Sequence, residues 1–301
     1  MPGRRNFLTL AALAATAMIS KSWAAEGSKA SKTGDSSPFN DKMAALESSV
    51  GGRLGVSLVD TASGRQWGYR ADERFPMCST FKFLAASAVL HRVDQGREQL
   101  ERRLVYSKHD LVPYSPTTGK HVGGQGLSMA QVCEAAMTLS DNTAANLMLA
   151  SMGGPAGLTA FIRTLGDDKT RLDRNEPTLN EAVPGDPRDT TTPAAMTANL
   201  RTVVLGNALK PASRKQITQW LRANQTGDKR VRAGLPGHWK VGDKTGTGRL
   251  GTSNDIGVIW TAQGTPLLFA VYLTENQADD ARRDAVHAAI GRVIAEDLGL
   301  S

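Results

Sequence analysis

Residues Ser79–Leu90 read STFKFLAASAVL, a stretch that contains neither glycine nor proline. Its continuous apolar character predicts a buried helix that begins near Ser79. Ser79 and Lys82 then lie one turn apart on the same helix face. A desolvated amine beside a serine can accept its proton and so activate the hydroxyl as a nucleophile. The alternative is a surface serine that begins a core helix, because about one Ser-x-x-Lys match is expected by chance in a chain of this length.

Strand patterns lie on both sides of this helix. Two short strands before it are separated by the turn-forming residues Asp60–Gly64, which predicts a hairpin. The predicted strands cover residues 53–59, 66–70, 239–245, 255–261 and 266–274, and a final amphipathic helix covers 279–298. We therefore predict an α/β fold (an α+β sandwich), in which helices flank one antiparallel sheet built from both chain ends and an all-helical lobe is inserted.

The first residues have the pattern of an export signal. Arg4 and Arg5 form a basic head, residues 7–19 form a short apolar stretch, and the small residues at 22 and 24 suit cleavage before Ala25. The apolar run is too short to span a bilayer. The two arginines before Phe7 resemble a twin-arginine signal, and an ordinary secretory signal is the alternative. Either one predicts a periplasmic or secreted protein.

The predicted segments are therefore an export signal at 1–24, a flexible lead-in at 25–38 and a catalytic domain at 39–301. Within that domain we predict an α/β lobe at about 39–75 and 226–301, and a helical lobe at about 76–225. The lead-in is rich in serine, lysine and glycine, which is typical of flexible segments.

Composition excludes several classes of function. The 301 residues are 40% hydrophobic and 22% charged, as in ordinary globular proteins. The net charge of +7 falls to +4 without residues 1–24, which is too mild to predict nucleic-acid binding. The five histidines are scattered, so we expect no metal and no cofactor. Cys78 directly precedes Ser79, so we expect it and Cys133 to be buried free thiols, with one disulfide as the alternative.

Two further motifs carry residue types suited to chemistry at Ser79. In Ser140-Asp141-Asn142 the serine can relay a proton and the amide can orient a substrate. The alternative is a helix cap, since all three residue types favour caps. Lys244-Thr245-Gly246-Thr247 lies at a strand end, where lysine and threonine can hold an anion and glycine permits close approach.

The long loop from about Asp167 to Pro193 has no periodicity, and such loops are usually functional or disordered. Glu176 is followed by proline, which restricts it to extended conformations. The amide of Asn180 can help Glu176 hold a water, and Arg174 and Asp189 can close the loop as an ion pair. Beyond the loop, Arg230 can supply a second cation for a carboxylate.

With these four elements in this order, the chain resembles the class A serine β-lactamase family. The matching patterns are Ser79-x-x-Lys82, Ser140-Asp141-Asn142, Glu176-x-x-Leu179-Asn180 and Lys244-Thr245-Gly246. The similarity spans roughly residues 39–300. It implies hydrolysis of penicillins and cephalosporins through a serine acyl-enzyme, and hence resistance to β-lactams. It also implies a monomer whose only partner is a small β-lactam substrate.

By this resemblance, the catalytic residues are Ser79, Lys82, Ser140, Glu176 and Asn180, and the substrate-binding residues are Asn142, Lys244, Thr245, Gly246, Thr247, Arg230 and Tyr114. Ser79 is the nucleophile, and either Lys82 or Glu176 acting through a water removes its proton. The resemblance further implies a cis peptide bond between Glu176 and Pro177.

Two departures from the family are visible. A disulfide common in the family would join Cys133 to the position occupied here by Ala86, and another would join Cys78 to the position of Gly248. Neither can form. The rival functions are a penicillin-binding D,D-peptidase and a β-lactam sensor that stays acylated. The deacylating Glu176 with Asn180 argues against the D,D-peptidase, and the lack of a predicted transmembrane helix argues against the sensor.

Overall fold

A computed structural model describes residues 36–297, which contain eight α-helices and nine β-strands. The eight α-helices are α1 (Ser36–Val50), α2 (Phe81–Asp94), α3 (Met129–Thr138), α4 (Asn142–Ser151), α5 (Gly154–Thr164), α6 (Pro193–Leu200), α7 (Pro211–Arg222) and α8 (Asp280–Asp297). The nine strands are β1 (Arg53–Asp60), β2 (Gln66–Tyr69), β3 (Phe75–Pro76), β4 (Arg103–Leu104), β5 (Leu127–Ser128), β6 (Thr190–Thr191), β7 (Lys240–Thr247), β8 (Ser253–Trp260) and β9 (Pro266–Thr274).

The main sheet joins the two ends of the chain, which confirms the predicted fold class. Its five strands run in the order β2-β1-β9-β8-β7, and every neighbouring pair is antiparallel. In β1, Leu58 lies opposite Phe269 of β9. Strand β8 begins at Ser253, two residues before the predicted start, because Ser253 still pairs with Thr247 of β7.

Each face of the sheet is covered by its own apolar cluster. One cluster packs Met43 of α1 and Ile290 of α8 against β-strand residues such as Phe269. The other packs α2 residues such as Phe83 with the remaining helices and with Tyr272. Helix α2 is buried over Phe81–Leu90, as its sequence predicts, and only its last turn is partly exposed. The bounds of the two lobes stay a prediction.

The predicted export signal lies outside the described residues, as does most of the lead-in. Residues 36–38, which we assigned to the lead-in, form the first turn of α1. No single helix within 36–297 is both long and apolar enough to cross a membrane, although the bent pair α4 and α5 meets that test jointly.

Glycine allows β7 to approach the segment that precedes α2. A Cβ atom at Gly246 would lie 2.7 Å from the carbonyl oxygen of Met77 and 3.3 Å from Cys78 Cβ. Real Cβ atoms essentially never approach another atom to 2.7 Å, so the two segments meet this closely only with glycine at 246. The Lys-Thr-Gly motif is thereby held next to Ser79.

The cysteine prediction is confirmed within the described part of the chain. Cys78 and Cys133 are both free and fully buried. Burial raises the pKa of each thiol far above its ordinary value, so neither is a thiolate at neutral pH.

His287 of α8 makes a testable contribution to acid stability. It is fully buried, with Nε2 3.1 Å from Ser253 Oγ, and burial followed by the charge of Arg230 lowers its pKa to about 3. The unfolded chain binds a proton at His287 below about pH 6.5, whereas the native state stays neutral to about pH 3. The free energy of unfolding should therefore fall by up to about 1.4 kcal/mol per pH unit as the pH falls through this window.

Urea unfolding of the parent and of His287→Asn between pH 7 and pH 3.5 measures this effect. We expect a shallower pH dependence in His287→Asn. The exposed His121→Asn is the matched control and should keep the parental slope. Equal slopes in all three proteins would contradict the assignment.

Candidate active site

Ser79 lies in a single 3-10 turn, Cys78–Thr80, that leads directly into α2. Cys78 has a φ of +45°, a left-handed conformation that L-residues rarely adopt, and this bend sets Ser79 at the start of the helix. The Ser79 side chain is almost buried, and Lys82 is fully buried one turn later. The unpaired N–H groups of a helix start favour negative charge near Ser79.

Lys82 is the centre of a dense polar cluster. Its Nζ donates to Asn142 Oδ1 at 2.6 Å and to the carbonyl oxygen of Ser140 at 2.8 Å. It also forms a 3.0 Å ion pair with Glu176 Oε1, and both side chains of this pair are fully buried. Burial lowers the pKa of Lys82, and the Glu176 charge opposes that shift.

The predicted nucleophile and base are connected through a carboxylate. Ser79 Oγ donates to Glu176 Oε1 at 3.4 Å, the same oxygen that pairs with Lys82. Among residues 36–297, no hydrogen bond joins Ser79 Oγ directly to Lys82 Nζ. The Ser79 proton can therefore pass to Glu176, or by way of Glu176 to Lys82.

Glu176 is fixed by two asparagines. Asn180 Nδ2 donates to Oε2 at 2.5 Å, as its place in the loop predicts. Asn146 of α4 accepts from the Glu176 N–H at 2.9 Å and donates to the Glu176 carbonyl at 3.0 Å. The Glu176–Pro177 peptide bond is cis, which confirms that prediction. Sequence reasoning missed Asn146, whose only signal is its i,i+4 spacing from Asn142 on one helix face.

The ion pair predicted to close the long loop is present. Arg174 Nε lies 2.5 Å from Asp189 Oδ2. The other Asp189 oxygen accepts from the N–H groups of Asp173 at 2.8 Å and Arg174 at 2.9 Å. Asp189 is buried, so these donors hold the two ends of the Glu176 segment together.

The Ser-Asp-Asn motif serves both as a cap and as a lining of the site. Asp141 caps α4 by accepting from the Ala144 N–H at 2.9 Å. Ser140, at a φ of +59°, directs its Oγ to Lys244 Nζ at 3.1 Å. The Asn142 side chain does not cap the helix. Its Oδ1 accepts from Lys82, and its Nδ2 donates to the Pro113 carbonyl at 2.9 Å. The neighbouring Tyr114 is 61% exposed at the rim of the site.

Lys244 carries the second buried ammonium. Its Nζ donates to Ser140 Oγ and, at 2.9 Å, to the carbonyl of Thr245. Burial, followed by the charges of Lys82 and Arg230, lowers its pKa well below the ordinary value. The site therefore concentrates positive potential where a substrate anion would enter.

Arg230 lies behind β7 as a nearly buried guanidinium. Its Nη1 donates to the Gly246 carbonyl at 2.8 Å, and its Nη2 donates to Thr247 Oγ1 at 2.7 Å. Its Nε is 3.6 Å from Asp284. Arg230 thus supports the Gly246–Thr247 edge from behind, while Thr245 Oγ1 bonds Thr226 Oγ1 beside it.

Two buried carboxylates next to Lys244 were not predicted. Asp243 Oδ1 accepts from Asn224 at 2.6 Å and Arg232 at 2.9 Å, and Asp255 accepts from the Val231 N–H at 3.2 Å. Burial raises the pKa of both, and for Asp255 the Asp243 charge adds to the shift. The signal for them is an aspartate within a strand, a residue type that strands disfavour.

No metal centre competes with this site in the described part of the chain. Among residues 36–297, no three His, Cys, Asp or Glu side chains are grouped closely enough to hold a metal ion. The polar cluster offers a serine nucleophile, a carboxylate and two buried amines, which is a constellation suited to acyl transfer.

Known proteins resemble this chain over most of its length. The model of the Beta-lactamase enzyme family matches residues 38–298. The β-lactamase CTX-M-8 of Citrobacter amalonaticus is 51% identical over 249 residues, which cover 82% of this chain and 85% of that protein. A β-lactamase of Streptomyces albus G is 46% identical over 307 residues, covering 99% and 98%.

Solved structures agree with the sequence relatives. An ancestral (GNCA) class A β-lactamase superposes with a TM-score of 0.84 at 64% identity, covering 85% of this chain and 98% of that one. The fold, the family model and the relatives therefore converge, and the chain belongs to the class A serine β-lactamase family.

Proposed function

We propose that this class A enzyme hydrolyses the β-lactam ring of penicillins and cephalosporins by acylating Ser79, and so confers β-lactam resistance. The observation that carries the proposal is the contact of one Glu176 oxygen with both Ser79 Oγ and Lys82 Nζ. It gives the nucleophile a proton acceptor and gives the later hydrolysis a base.

In the first half-reaction Ser79 Oγ attacks the lactam carbonyl. Its proton passes through a water to Glu176, or it passes to Lys82 after the Lys82 ammonium has given one of its own protons to Glu176. The N–H groups of Ser79 and Thr247 form the oxyanion hole and stabilise charge that develops in the transition state. Ser140 then transfers a proton to the lactam nitrogen as the C–N bond breaks, and the ammonium of Lys244 at 3.1 Å stabilises charge on that hydroxyl.

In the second half-reaction Glu176 activates a water that attacks the acyl-enzyme. Asn180 holds one Glu176 oxygen and thereby directs the other towards Ser79. The water adds to the ester carbonyl, the Ser79 oxygen leaves and takes back a proton, and the opened product is released.

The substrate is held at both of its ends. The substrate carboxylate is attracted by Lys244, Thr245 and Arg230. Arg230 acts through the hydrogen bond by which it supports Thr247. Asn142 and the Thr247 carbonyl bind the acylamide side chain. Gly246 lets the substrate approach the β7 backbone, and Tyr114 lines the rim of the cleft.

We further propose that residues 1–24 direct export, by the twin-arginine route, to the periplasm or the medium. The mature chain would act as a monomer without stable membrane association. Cell fractionation of a strain that carries Arg4→Lys and Arg5→Lys together tests the route, since loss of exported activity is expected only for twin-arginine export.

Turnover separates the proposed function from its rivals. The purified protein, mixed with a chromogenic cephalosporin in large excess, should convert many equivalents. One equivalent of product followed by a stall would instead identify a sensor or a D,D-peptidase.

Replacing Glu176 should separate the two half-reactions. In Glu176→Ala we expect acyl-enzyme to accumulate and turnover to fall by about 10²–10⁴-fold, because the general base is lost. Intact mass spectrometry after mixing with a penicillin detects the covalent adduct. Glu134→Ala, an exposed glutamate on α3, is the control. Parental turnover in Glu176→Ala would disprove the assigned role.

Opening the long loop should weaken both folding and hydrolysis. Asp189→Asn removes one partner of a buried ion pair, which costs about 3–5 kcal/mol in the free energy of unfolding. The exposed pair of Lys169 and Asp168 on the same loop serves for comparison, and Asp168→Asn should change that free energy by less than about 1 kcal/mol. Urea unfolding and cephalosporin turnover measure the two effects, and equal losses in both variants would contradict the loop-closing role.

A further inference from the structure

A cavity of about 310 Å³ lies between the long loop and the N-terminal part of the chain. Its walls include Arg53, Arg74 and the loop segment 182–188, and none of its lining residues belongs to the proposed catalytic or substrate-binding set. The loop that carries Glu176 forms part of the cavity wall, but the cavity is separate from the catalytic cleft. A volume of this size accommodates a small organic molecule.

The acidic side chains that line the cavity already have cationic partners. Arg53 lies 2.9 Å from both Glu73 and Glu275. Asp186 lies 2.7 Å from Arg188. A cation would have to displace one of these arginines, so the cavity does not suit a cationic ligand.

Arg74 differs from the other lining arginines because it forms no ion pair within residues 36–297. Its Nη1 donates to the Lys169 carbonyl at 2.7 Å and to Thr190 Oγ1 at 3.0 Å, and these bonds orient the guanidinium. Its Nε and Nη2 have no partner in the described part of the chain. These two N–H groups form one edge of the planar guanidinium, the geometry that binds a carboxylate through two parallel hydrogen bonds.

The cavity that Arg74 lines also has apolar lining residues. Val183 is a large hydrophobic residue that is 50% exposed, and Leu179 and Pro184 line the same cavity. Exposed apolar surface within a concave site favours a ligand that has an apolar body as well as its charge.

We propose that this cavity is a second ligand site, which binds small aromatic carboxylates through the Nε–Nη2 edge of Arg74 and the apolar wall at Val183. The site is independent of the hydrolytic cleft. It holds its ligand by a bidentate charge-assisted pair on one side and by ring contact on the other.

Titration with sodium benzoate tests the site. In ¹⁵N-labelled mature protein, the amides of 182–186 should shift saturably, and separately from those of 245–247 in the cleft. Arg74→Gln should raise the dissociation constant read from 182–186 by about tenfold or more, because a bidentate charged contact is lost. Arg65→Gln removes the charge of an exposed arginine that does not line the cavity and should change that constant by less than about twofold.

Two further measurements isolate each half of the contact. Benzamide, which has the same ring without the charge, should produce no saturable shift at 182–186. Val183→Ser changes a half-exposed side chain and leaves Arg74 in place. It should weaken benzoate binding without changing thermal unfolding. Any of three results would overturn the proposal. They are the absence of a saturable shift in the parent, parental affinity for benzoate in both Arg74→Gln and Val183→Ser, and a loss of affinity in Arg65→Gln equal to that in Arg74→Gln.

Discussion

The buried ion pair between Lys82 and Glu176 is the interaction on which the site depends. Two charges removed from water are stable only when further hydrogen bonds satisfy them. Here Asn142 and the Ser140 carbonyl satisfy Lys82, and Asn180 satisfies Glu176. The helix, the Ser-Asp-Asn turn and the long loop are thus fixed relative to one another by the need to solvate one pair of charges. Catalytic geometry and local stability have the same origin.

Much of the fold and the set of functional residues could be predicted from the sequence, because the relevant signals are local. Strand alternation, an uninterrupted apolar helix and a proline after Glu176 are each readable within a few residues. Asn146, Asp243 and Asp255 were missed because their importance comes from partners distant in sequence. Asn146, for example, matters only once folding brings Glu176 to α4. Likewise, helix spacing places Ser79 near Lys82 but cannot show that Glu176 lies between them.

The Ser-Asp-Asn motif shows how neighbouring residues can serve different ends. The cap interpretation and the functional interpretation are both correct, but for different members of the tripeptide. Asp141 accepts a hydrogen bond from a backbone N–H group at the start of α4. The left-handed backbone at Ser140 turns the Ser140 hydroxyl towards Lys244. A strained residue beside a well-satisfied one is a common arrangement at functional sites, since the stable neighbour holds the strained residue in place.

The sheet that joins both chain ends also constrains when the protein can fold. Val56 of β1 pairs with Val271 of β9, so the central strand of the sheet is synthesised 215 residues after its partner. Until β9 emerges from the ribosome, the edge of β1 that faces away from β2 has no partner, and such distant pairings form slowly. The main sheet therefore cannot close until β9 has been synthesised, and until then the nascent chain presents an open strand edge, the kind of surface that promotes misassembly.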